Sequence, residues 1–303
     1  MDLKQAAIST CTIVFVLSSM LGLGLGLRVS EIVAPLRNWR LVTLSLVANF
    51  VVMPALAVAL ARLLRLDASL SVGLLLLGAA GGAPLLPKLA QMARGNLAFA
   101  VGLMVLLMVI TVGYIPIVLP ALLPGVSVNP AQIARSLVLL MLLPLGGALA
   151  VNAYRPRLAA RVKPPLDQIA NISLIALIAL QTLLNLRSVA AVFGTFGILA
   201  AVVFLAAGYA TGWVLGGPAR DTRVVLGLGT SQRNIAASLV VASQNFDDPT
   251  VVVMVVVVAV ASSLMLVPLA RMLATRTRSD PDLFAGRAEA ESRPVGFRTR
   301  DGR

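Results

Sequence analysis

The chain has 303 residues, of which 59 % are hydrophobic and 12 % charged, with a formal net charge of +13. That balance excludes an ordinary soluble domain and fits a polytopic membrane protein. Histidine is absent and Cys11 is the single cysteine, which removes any intrachain disulfide, the usual metal ligand and the commonest acid–base catalyst.

The first apolar run covers residues 6–27. It is long for the core of a secretory leader and has no A-x-A site before its polar flank, so it is expected to stay as a span. Arg28, Glu31, Arg37, Trp39 and Arg40 make a loop, and residues 41–64 form the second span, with Asn49 and Pro54 inside it. The third span, 68–90, is interrupted: Gly78, Gly81 and Gly82 are followed by Pro84 and Pro87, then by Lys88. Each proline removes a backbone donor, and the glycines allow close helix crossing. Spans four and five are read at 97–123 and 131–153, separated by a loop.

A basic loop with Arg155, Arg157, Arg161 and Lys163 leads to the sixth span, 166–186, with Asp167 at its mouth. The seventh span is read at 188–215. The eighth, 223–243, is the most unusual stretch: Gly227, Gly229, Thr230, Ser231, Gln232, Arg233 and Asn234 stand in its middle. A guanidinium at a helix centre costs at least about 2.5 to 3.5 kcal/mol, and irregular backbone at that depth requires cover from protein or a water-filled cavity. The expectation is a broken helix lining a substrate or ion site. The ninth span is 249–273, and residues 279–303 read as a disordered cytoplasmic tail after a membrane domain of residues 1–278.

Orientation follows from the loop cations. Arg28, Arg37, Arg40, Arg94, Arg155, Arg157, Arg161, Lys163, Arg220 and Arg223 fall on one side, whereas Lys4, Arg62, Arg65, Arg135 and Arg187 fall on the other. The richer side is cytoplasmic by the positive-inside rule, which puts the amino terminus outside and the carboxyl terminus in the cytoplasm of a plasma (inner) membrane. The cations sit between apolar runs, not along a phosphate-tracking face, so a lipid bilayer and not nucleic acid is the expected partner.

Three segments resemble the bile acid:sodium symporter family in order and in type. They are Gly78–Asn96 (G-A-A-G-G-A-P-L-L-P-K-L-A-Q-M-A-R-G-N), Asn49–Ala55 (N-F-V-V-M-P-A) and Leu228–Ala236 (L-G-T-S-Q-R-N-I-A). The resemblance spans residues 21–273. It implies an all-α fold of nine transmembrane helices, built as an inverted-repeat transporter with two crossing broken helices. Spans two to four and seven to nine would form a core that moves against a panel of spans one, five and six. The family's oxygen ligands for sodium match Leu86, Pro87, Ala100, Met104 and Leu228 here, none of which carries a side-chain oxygen. Asn49, Gln232, Gly229 and Ser231 remain as ion-site positions, and this pattern speaks against sodium coupling of the family's kind. A proton, or no ion at all, stays open.

Arg233, Lys88, Asn234 and Thr230 are the expected substrate-binding residues. Each signal has a second reading. Lys88 can snorkel from a half-helix end, Arg233 can be a structural cation on carbonyls of the other broken helix, and Thr230 and Ser231 can re-satisfy backbone freed by the break. Two intramembrane cations with no deep carboxylate favour a small organic anion as substrate. A membrane-embedded enzyme would lack an evident general base, and a sensor or scaffold that retains the fold is the other alternative. No cofactor beyond a coupling ion is implied, and the oligomeric state is not encoded in any motif.

Overall fold

The computed structural model describes residues 3–33, 37–122, 129–184, 195–246 and 248–278, and these are helical with no strand among them. In chain order the helices are α1 (Leu3–Leu25), α2 (Val29–Val33), α3 (Trp39–Leu63), α4 (Ala68–Ala79), α5 (Leu86–Met92) and α6 (Leu97–Leu122). Then come α7 (Pro130–Tyr154), α8 (Pro156–Leu184), α9 (Gly197–Leu215), α10 (Arg220–Ser231), α11 (Ile235–Asn245) and α12 (Pro249–Arg278). The expected tail, the loop at 123–128 and the junction at 185–194 between the sixth and seventh spans lie outside the described residues.

Among the described residues seven helical segments are long and apolar enough to cross a membrane, where the sequence leads one to expect nine. The third expected span is missing from the seven because its apolar part, α4, stops after 12 residues. The sixth falls in α8, a 29-residue helix that opens on Arg157, Arg161 and Lys163 and is not among the seven. That basic stretch is itself a correction: it is helix, not loop. Pro156 starts it, its Leu, Ala and Arg are good helix formers, and it carries on through Pro164 and Pro165.

Both interrupted helices are found where glycine, proline and polar residues pointed. The first is α4, an extended Ala80, an irregular stretch at residues 81–83, a turn at 84–85, then α5. Gly82 has φ +80°, and a Cβ on it would lie 2.3 Å from the Met108 nitrogen, so α6 passes too close for any other residue. The second is α10, a short irregular link through Gln232 and Arg233, then α11. The Arg220–Asn245 segment is 94 % buried, against no more than 61 % for the other membrane-length helices. It is the centre of the molecule.

The two broken helices run antiparallel. Ser69 at the start of α4 donates to Asp248 just beyond α11, and Asn96 just beyond α5 donates to Asp221 at the start of α10. Between these ends the breaks meet, where the Asn234 N–H donates to the Ala80 carbonyl at 3.0 Å. The arms leading into the crossing, α4 and α10, are each 12 residues, about 18 Å at helical rise. That is a little over half the thickness of a bilayer's hydrocarbon core.

Candidate functional site at the crossing of the broken helices

Arg233 is the largest fully buried side chain at the crossing, 1 % exposed. Its Nε donates to the Leu77 carbonyl at 2.8 Å. Nη1 donates to Asn49 Oδ1 at 2.8 Å and to the Thr230 carbonyl at 3.1 Å. Nη2 donates to the Gly78 carbonyl at 2.8 Å and to the Asn49 carbonyl at 3.4 Å. A guanidinium has five N–H donors, and all are used.

Local backbone explains why these oxygens are free. Leu77 and Gly78 lie in the last turn of α4 and Thr230 in the last turn of α10, where helix carbonyls lose their i+4 donors; Leu77 O keeps only the short-range Ala80 N–H at 3.2 Å and accepts from Arg233 as well. Asn49 lies in a π-helical turn, Ala48–Val52. There the Met53 N–H bonds back to Ala48 and not to Asn49. The next donor in line would be residue 54, a proline with no N–H. The Asn49 carbonyl is thereby released to Arg233. The Asn49 side chain is fixed in turn by Nδ2, which donates to the Ser45 carbonyl at 3.0 Å and to Thr230 Oγ1 at 3.3 Å.

Beside this knot lies a cavity of about 470 Å³. One wall is core: Pro84 and Lys88 around the first break, Gln232 at the second, Ala236 on α11 and Ser262 on α12. The other wall is Phe15, Ser19 and Leu23 of α1 with Lys163, Asp167 and Asn171 of α8. Lys163 and Asp167 form an ion pair one helical turn apart. They press into α1 so closely that a Cβ on Gly22 would overlap the Asp167 carboxylate. Lys88 is exposed and has no hydrogen-bond or ion-pair partner among the described residues. With Lys163 cancelled by Asp167, Lys88 is the uncompensated charge facing the space.

The residues expected from sequence divide accordingly. Lys88, Gln232 and Arg233 border the cavity, although Arg233 gives its donors to protein oxygens. Gln232 is 5 % exposed, and its Oε1 has no partner among the described residues. Thr230 and Asn234 are fully buried outside the lining, with Asn234 Oδ1 capping α11 at the Ala237 N–H. Ser231 donates to the Leu205 carbonyl, and Gly229 packs on Leu86. Leu86, Ala100, Met104 and Leu228, which stand where the resemblance puts ion ligands, are all fully buried in one hydrocarbon cluster. Sequence reasoning missed the α1 wall and the role of Lys163. The signal was there in the Lys163–Asp167 spacing and in Gly22 and Gly24 of α1 with Gly26 just beyond it, but only once residues 156–166 are read as helix.

Two interrupted helices crossing antiparallel beside a cavity, in a bundle of membrane-length apolar helices, define an integral membrane protein of the secondary-transporter class. The family can be stated more closely. Residues 13–192 match the profile of the Sodium Bile acid symporter family, and the chain belongs to that family. The matched stretch holds the first break, Lys88, Lys163 and Asp167, and stops before Arg233. No curated protein matches the chain.

Proposed function

We propose that this protein is a secondary transporter of a small organic anion, held in the cavity between α1, α8 and the two breaks. The observation that carries this reading is the uncompensated Lys88 in a largely apolar space at the crossing. Carboxylates and sulfonates suit such a site: an ammonium takes the charged group, and the Phe15–Leu23 wall takes the apolar body. Gln232 offers an amide to the same ligand. Arg233 serves the site by holding the wall in shape.

The chain crosses the membrane nine times, with α4–α5 and α10–α11 each counted as one interrupted crossing and α8 as another. Leu27, Asn152, Asn96, Asp221 and Leu273 come together at one end of the bundle, through Asn152 to Leu27, Asn96 to Asp221 and Arg220 to Leu273 contacts. That end carries most of the loop cations and is the cytoplasmic one in a plasma (inner) membrane. The cavity reaches toward that end at Leu27 and Lys163. The test is a thermal-shift panel of aliphatic and aromatic carboxylates and sulfonates on purified protein, followed by counterflow in proteoliposomes with each anion that stabilises. Stabilisation by amines or neutral solutes, with none by anions, would overturn the reading.

A further inference from the structure

We propose that the Arg233 guanidinium is a resident cation: it fills, as a covalent part of the chain, a cation site built at the crossing, so the carrier works without sodium. The site has the make-up of one for a free monovalent ion. Five oxygens converge on it from three helices, and none belongs to a carboxylate: Asn49 O and Oδ1 from α3, Leu77 O and Gly78 O from α4, and Thr230 O from α10. Free half-helix carbonyl ends are where transporters with broken helices hold their cations. The charges balance as well. Each half-helix carboxyl end carries about half a negative charge, and α4 and α10 together supply about one, which matches one guanidinium. A sodium ion would find every oxygen taken, and the neighbouring cluster of Leu86, Ala100, Met104 and Leu228 has no side-chain oxygen to offer.

The consequence for transport rests on the anion reading above, but the cation site does not, and its test needs no organic anion. Purified protein is titrated with sodium against choline at constant ionic strength, following thermal midpoint and radioactive sodium binding. The wild type is expected to show no saturable response to sodium. Arg233→Ala vacates the oxygens and is expected to gain one. Its midpoint rises saturably with sodium or with millimolar guanidinium, by about 2 °C at ten times the dissociation constant. Saturable sodium binding to the wild type overturns the proposal, and so does a folded Arg233→Ala that responds to neither cation. Recovery of folded Arg233→Ala only when sodium or guanidinium is present supports it. Where no salt yields folded Arg233→Ala, Arg233→Lys decides. It keeps the fixed charge and is expected to fold and ignore sodium, and saturable sodium binding by this variant would refute the idea. Loss of the anion reading, with these results intact, would leave a cation-locked crossing of different cargo.

Discussion

Asn49→Ala isolates the bond that ties α3 to the crossing. The substitution removes the 2.8 Å contact from Arg233 Nη1 to Oδ1 and the two Nδ2 bonds to the Ser45 carbonyl and Thr230 Oγ1. It leaves the backbone bond from Arg233 Nη2 in place. A hydrogen bond to a charged group contributes about 1.5 to 3 kcal/mol, and a buried donor left unpaired adds its own desolvation cost. The expected loss is about 3 kcal/mol, a fall of about 5 °C in thermal midpoint for a chain of this size. Tryptophan fluorescence in detergent, with size exclusion to confirm a folded peak, reads it. Asn49→Asp keeps an acceptor on Nη1 and adds a charge opposite the guanidinium, so it should recover more than half of the loss. A midpoint for Asn49→Ala within about 2 °C of wild type would show that Arg233 does not depend on this contact, and the account of the crossing would fail.

Lys88→Gln should weaken binding of whichever anion the panel finds by about tenfold or more, the scale of a lost charge-assisted bond, and leave the thermal midpoint unchanged. Calorimetry giving equal affinities would remove Lys88 from the site. Gly82→Ala should destabilise by more than the about 1 to 2 kcal/mol of a left-handed residue, because its Cβ also meets α6. Gly113→Ala, with nothing within 4 Å, should instead stabilise by about 1 kcal/mol, and chemical denaturation of the two variants checks the contrast. At Asp248, burial pushes the carboxyl up, but hydrogen bonds from Ser69 and from the backbone and hydroxyl of Thr250 outweigh it and hold the group below its ordinary value. Its stabilisation is therefore complete above the unfolded aspartate range and is lost as pH falls through the lower, folded value. Asp248→Asn should flatten the wild-type fall in midpoint below about pH 4, and parallel curves would refute the assignment.

The two breaks are legible in the sequence because they violate a local rule. Glycine, proline and polar side chains are costly in an apolar run, so Gly78–Lys88 and Gly227–Asn234 stand out without any tertiary information. What Arg233 does at the second break is not legible there. Its partners lie 155 to 184 residues away, apart from Thr230. The release of the Asn49 carbonyl depends on a π-helical turn, and Pro54 is only half of that signal. The wall formed by Lys163 and Asp167 is hidden for a different reason. Arg157, Arg161 and Lys163 read as loop because charge marks the membrane edge, yet a helix can begin in water and continue into a bilayer, and residues 156–184 form one unbroken helix.

A cation that is part of the chain changes the electrical account of a transport cycle. A co-transported ion crosses once per turnover and brings its charge with it. The Arg233 charge travels out and back with the protein and contributes nothing net. What remains is the charge of the cargo alone. For a monoanion, an interior-negative membrane then favours exit by about 2.3 kcal/mol per 100 mV, a concentration ratio of roughly fifty. If the cargo is a monoanion and the oxygen-bound guanidinium between α3, α4 and α10 replaces the coupling ion, the membrane potential would bias this carrier toward efflux, where a carrier drawing on several sodium ions would be biased toward uptake.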